Sequence, residues 1–189
     1  MKRFLIAIFM FALLVGCTNT EGEETVEVKD TSVQGVPYND TEYGFTLNYP
    51  EKFQIGEKTS YVMDNATTAS IDWSTNLNDE GVFGMGDEDI WVTLSIQENV
   101  ENSSLEELTS QRLHPGKQED IMVDGHPAFR FKGNLADAGD SHNGFGILSY
   151  FESDGQFYTL TCVTKTESTL TEHEAACQSM VESFEFTSN

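Results

Sequence analysis

The chain is 189 residues long, with 10 basic and 32 acidic side chains and a formal net charge of −22. That balance excludes nucleic acid as a partner, because phosphate binding needs a basic patch to release counterions and no cluster of Lys or Arg follows residue 3. A charge of this sign suits a solvated acidic surface, a basic partner, or cation binding.

Met1-Lys2-Arg3 forms a short positive start, and Phe4 to Val15 is uninterrupted apolar sequence, the layout of a secretory signal. The run is too short to span a bilayer, which takes about 20 apolar residues. Leu14-Val15-Gly16-Cys17 resembles the bacterial lipobox, in which the cysteine is diacylated on its thiol and becomes the mature N-terminus. Residues 1–16 are thus read as a lipoprotein signal peptide and Cys17 as the site of lipid attachment, palmitate included; the alternatives are an ordinary signal peptide with an incidental cysteine, or an uncleaved anchor. Two acyl chains anchor stably where one does not, at about 0.8 kcal/mol per buried methylene. The expected location is the extracytoplasmic face of a bacterial cell membrane.

Residues 17–37 carry several carboxylates, few apolar residues and no sustained period, so they read as a flexible tether that avoids anionic lipid. Residues 38–189 suffice for one domain with one core.

In chain order, "YGFTLNYP" puts Phe45, Leu47 and Tyr49 on one face of a strand stopped by Pro50, and "SIDWS" offers a weaker strand around Ile71 and Trp73. "IWVTLSIQE" sets Ile90, Val92, Leu94 and Ile96 against Trp91, Thr93, Ser95 and Gln97. Ser104 and Glu107 form a capping box for a helix with Leu105, Leu108 and Leu113 inward. Asp124-Gly125 and Asp154-Gly155 sit between strand-like runs, as type I′ hairpin turns require. Thr171 and Glu174 offer a second capping box, before a helix with Cys177, Met180, Val181 and Phe184 at helical spacing. Strands, helix, hairpins and helix in that order describe an α+β domain on a mainly antiparallel sheet.

Taken together, "EYGFTLNYPEKF", the "VTLSIQE…SSLEEL" strand-to-helix step, "VDGHPAFRFKG", "GQFYTLTCV" and the terminal "VESFEF" resemble the PsbP-like family. That family is named for a subunit of the photosynthetic oxygen-evolving complex and is structurally related to a Ran-binding protein of eukaryotes. The resemblance runs from about Tyr43 to Phe186 and implies an α/β/α sandwich with a central, mainly antiparallel sheet. It does not imply photosynthesis, since the family includes many bacterial lipoproteins, and none of its metal-binding or partner-contacting residues maps onto a clear motif here.

No catalytic constellation emerges. Asp140, Ser141 and His142 are sequence neighbours in "AGDSHNG", whereas triad members converge from separate elements, so a polar hairpin loop is the plainer reading. His114, His126 and His173 lack metal-ligand spacing. Asp87, Glu88 and Asp89 supply hard oxygen ligands without a calcium-loop pattern, and a solvated acidic loop is preferred to a metal site. Neither a metal nor a cofactor is expected. Cys162, on a strand face with Tyr158 and Leu160, and Cys177, on the apolar stripe of the last helix, are expected to pair as a disulfide; two buried free thiols are the alternative.

The long connection from Asn76 to Trp91 is read as a partner-binding loop: Phe83 and Met85 supply an apolar anchor, and Asp87, Glu88 and Asp89 steer a basic partner. Against it stands the reading weighed slightly above it, Phe83 folded back over a sheet edge, because exposing a large apolar residue needs a reason. The expected function is a membrane-anchored lipoprotein with a non-catalytic binding or assembly module at the cell envelope. Its partners would be the membrane, through the lipid, and an envelope protein or small ligand. The alternative is an envelope enzyme, a hydrolase or a cation-dependent one, without a recognisable motif.

Overall fold

The structure, a computed structural model, describes residues 35–63, 66–76, 86–138 and 144–187. Cys17, Phe83, Met85 and the Asp140-Ser141-His142 triplet lie outside the described residues. β1 (Gly35–Asp40) and β2 (Phe45–Pro50) form an antiparallel hairpin, with Tyr38 opposite Leu47. Gly35, Val36 and Pro37, assigned to the tether by their composition, are therefore paired in a sheet. As the alternation requires, Phe45 and Leu47 are buried.

The larger sheet is antiparallel throughout. After β3 (Gln54–Ile55) and β4 (Thr59–Met63), both paired to β5 (Ala66–Ser74), come β6 (Ile90–Glu98), β7 (Gln118–Val123), β8 (His126–Asn134), β9 (Phe145–Ser153) and β10 (Gln156–Thr164). Their spatial order is β3-β5-β6-β10-β9-β8-β7, with β4 beside β5. A two-residue strand, β11 (Glu185–Phe186), pairs with β2 to complete a small second sheet. Both hairpin turns have the positive φ that their sequences demand: 46° and 79° at Asp124-Gly125, 50° and 72° at Asp154-Gly155.

One face of the large sheet carries Ile71, Trp73, Val92, Leu94, Leu160 and Phe151, and α2 (Glu167–Glu182) lies against β2, β6, β9 and β10. Just past the helix, Phe184 stacks on Phe45 with ring centres 4.9 Å apart and meets Phe151 edge-on, which ties helix end, small sheet and large sheet together. The helix begins at N-cap Thr166, whose side chain accepts from the Thr169 amide. Thr171 and Glu174 are therefore not a capping box: Thr171 Oγ1 donates to the Glu167 carbonyl and Glu174 pairs with Lys132 at 2.6 Å.

On the opposite face a smaller cluster gathers Leu105, Phe131, Tyr150 and Phe157 under α1 (Leu105–Ser110). Its Ser104–Glu107 capping box is present in both directions. Because α1 ends after six residues, Leu113 lies beyond it and is 71% exposed, not inward. His114 takes the inward place and stacks on Phe131 at 3.8 Å. With α1 on one face and α2 on the other, the domain is an α+β fold around a mainly antiparallel sheet.

Candidate functional site

The acidic segment 86–89 is held by its own backbone and by α2. Asp89 accepts from Asn76 Nδ2 at 3.2 Å and from the Gly86 amide, so its carboxylate joins the described residues on either side of 77–85. Thr169 Oγ1 donates to the Asp87 carbonyl at 2.7 Å, and Lys165 lies 3.8 Å from the Asp87 carboxylate. Asp87 and Glu88 point to solvent, and Asp89 is half-buried. Among the described residues no group of three or more His, Cys, Asp or Glu is placed to hold a metal.

Cys162 of β10 and Cys177 of α2 are joined as a disulfide, with Cα atoms 6.4 Å apart. Beside it a small hollow between α2 and the sheet is lined by Arg130, Ser149, Glu174 and Gln178 among others. Ser149 Oγ is fully buried and makes no hydrogen bond among the described residues. Arg130 and Glu174 reach the hollow from separate elements, and neither is hydrogen-bonded to the Ser149 hydroxyl.

At the start of the domain, Lys58 donates to Asp40 at 2.9 Å and to Glu42 at 2.7 Å. Burial pushes the Asp40 carboxyl up, but the Lys58 ammonium and the amides of Tyr43 and Glu42 outweigh it and hold the pKa below its ordinary value. Burial, then the neighbouring Asp40 charge, pushes the Tyr38 hydroxyl up to about 12. This cluster pins the β1–β2 turn to the segment before β4.

The arrangement best suited to binding lies on the α1 side of the sheet, over β5, β6 and β10. Two rows cross these strands in register: Ser70, Ser95 and Thr159, then Asp72, Thr93 and Thr161. All six are half-buried, whereas the helix on this side, α1, packs against β9. In the second row Thr93 Oγ1 donates to Asp72 Oδ1 at 2.7 Å, and Trp91 Nε1 donates to both Thr93 and Asp72, fixing the indole along the face. The hydroxyls of Ser70, Ser95, Thr159 and Thr161 make no side-chain hydrogen bond among the described residues. Adjacent strands lie about 4.8 Å apart, so the rows form a grid of groups that both donate and accept.

Thr93 and Ser95 are already visible in the sequence as the polar half of an alternating strand. Ser70, Asp72, Thr159 and Thr161 join them only through the pairing of β5 and β10 with β6, which no local motif encodes.

Comparison with known proteins places this fold among relatives of PsbP. The solution structure of cyanobacterial PsbP from Synechocystis is 13% identical with a TM-score of 0.50, covering 80% of this chain and 91% of that one. The crystal structure of LpqN, described as involved in cell envelope biogenesis of Mycobacterium tuberculosis, is 12% identical with a TM-score of 0.50, covering 82% and 91% respectively. At such identities the likeness is one of fold. No curated protein sequence matches the chain. The family profile of PsbP-like protein matches residues 6–186, nearly the whole length, and the chain belongs to the PsbP-like protein family.

Proposed function

We propose that this protein is a lipid-anchored, extracytoplasmic binding module, tethered through Cys17, that holds a neutral, polyhydroxylated segment of the cell envelope on the α1 side of β5, β6 and β10. The observation that carries the reading is the pair of cross-strand rows, with four hydroxyls left unengaged among the described residues and the indole of Trp91 fixed beside them. Hydroxyls that can both donate and accept match ligands that do the same, and Asp72 with the net charge of −22 disfavours anions. An envelope setting is further supported by the lipobox at Leu14-Val15-Gly16-Cys17 and by the likeness of fold to LpqN. The module acts by binding, not by catalysis.

Titration with oligosaccharides of glucose and of N-acetylglucosamine, followed by tryptophan fluorescence, tests the ligand class. The double variant Thr159→Val, Thr161→Val keeps the shape of the strand and removes two hydroxyls; binding should weaken at least tenfold with the melting temperature nearly unchanged. Equal binding by the variant, or none by the wild type, would overturn the assignment. Anchoring is tested separately, since Cys17→Ser should move the protein from the membrane fraction to the soluble one.

A further inference from the structure

Exposed sheet edges invite pairing with other chains, and proteins blunt them with charge, proline or brevity. Four edges of this domain are blunted in that way. β7 carries Glu119 and Asp120, both exposed, β1 carries Pro37, and β3 and β11 have two residues each. β4 is different: Thr59–Met63 has five residues with no charge and no proline. One side is fully paired to β5, from Thr59 opposite Ser70 to Met63 opposite Ala66, and no strand pairs with its other side among the described residues. Tyr61 is 48% exposed and Val62 73%.

Charge identifies what would lie along this edge. Glu57 precedes the strand and is exposed, and no basic residue follows it within Thr59–Met63. The adjacent cation, Lys58, is already engaged by Asp40 and Glu42. The edge is therefore neutral along its length, with the exposed carboxylate of Glu57 at its start and Asp40 and Glu42 around Lys58. A second copy would bring like charges together, whereas a strand with Lys or Arg at its ends would find opposite charge.

We propose that β4 is a docking edge for an extended, basic segment of a partner protein, bound by adding a strand to the sheet beside Thr59–Met63. Main-chain hydrogen bonds supply the affinity, and these carboxylates select for basic ends. Strand addition engages the backbone of β4, whereas the hydroxyl rows present side chains of β5, β6 and β10.

The test uses the full chain in detergent and a synthetic nine-residue peptide of alternating Thr and Val with Lys at both ends. The expected result is saturable binding, slower hydrogen exchange of the β4 amides by tenfold or more, and at least tenfold weaker binding of the same peptide with Glu at its ends. Peptide methylated on alternate backbone nitrogens should lose affinity tenfold or more, as should the variant Tyr61→Lys, Val62→Lys, whose substitutions sit at exposed positions and leave the melting temperature unchanged. Undiminished binding of the methylated peptide would reduce the effect to simple charge attraction and overturn strand addition. Absence of binding would overturn it too, as would a concentration-dependent dimer with protected β4 amides in the absence of peptide, which would assign the edge to a second copy.

Discussion

Lys52 places its Nζ 3.2 Å from Nδ1 of His173, linking the segment before β3 to the middle of α2. An ammonium has only donors, so Nδ1 must be the unprotonated nitrogen and Nε2 carries the hydrogen. His173 is 7% exposed and packs edge-on to Phe53. The acidic segment 86–89 is fastened to the same helix through Thr169, whose hydroxyl donates to the Asp87 carbonyl.

Acidification should weaken the fold through this histidine. Burial first, then the Lys52 charge, lowers its pKa below the ordinary value, while the Glu88 backbone and the Glu172 carboxylate oppose the shift without reversing it. Just below about pH 6.5 the unfolded chain therefore binds a proton that the folded one refuses. Stability is full above that pH and falls as pH drops toward the lowered folded value. His173→Gln should flatten the pH dependence of the urea midpoint between about pH 7 and 5. Parallel curves for wild type and variant would mean that His173 does not titrate in this window.

Asp40 works in the opposite ionic sense. Its side chain is 3% exposed against 27% for that of Lys58, so removing the ammonium leaves a nearly buried carboxylate with the Tyr38 hydroxyl and two amides. Lys58→Met should cost about 2 kcal/mol at pH 7, the scale of a hydrogen bond to a charged group whose partner is lost. Because the folded pKa of Asp40 is depressed, its stabilisation is complete above the unfolded value near about 3.9 and disappears as pH falls through the folded value. The gap between variant and wild type should accordingly shrink at acid pH. An equal gap at pH 7 and pH 3 in denaturant titrations would point to packing of the lysine stem instead.

Much of the fold is legible wherever the signal is local. The period-two pattern at Ile90, Val92, Leu94 and Ile96 maps onto four buried positions, and each Asp-Gly pair makes the turn that its φ preferences require. The start of α2 is less legible: Thr171 and Glu174 have the capping-box spacing, whereas the working cap, Thr166, has Thr169 rather than Glu or Gln three residues on. Leu113 fails for a similar reason, since helical spacing carries no information about where α1 stops. β4 is short and uncharged, and takes its meaning from β5 beside it. The hydroxyl grid is the least legible feature, because β5, β6 and β10 are brought together by pairings between distant parts of the chain.

The link between Cys162 and Cys177 gives the sharpest stability prediction. Both residues are almost completely buried, and the bond fastens the central strand β10 to α2 across a sequence separation of 15. Closing a loop of this size restricts the unfolded chain by about 3 kcal/mol. Cys162→Ala, Cys177→Ala should lose about that amount in guanidinium unfolding, with little change in secondary structure, because α2 remains packed through Leu170, Met180 and Val181. Dithiothreitol should lower the wild-type midpoint toward that of the double variant and leave the variant itself unmoved. Since no sulfur is open to solvent, reduction should be slow in the native protein and fast once it is unfolded. A wild-type midpoint insensitive to the reductant, with two thiols alkylated in the unfolded but unreduced protein, would show that the cysteines are unpaired, and the attachment of α2 would then rest on its apolar face alone.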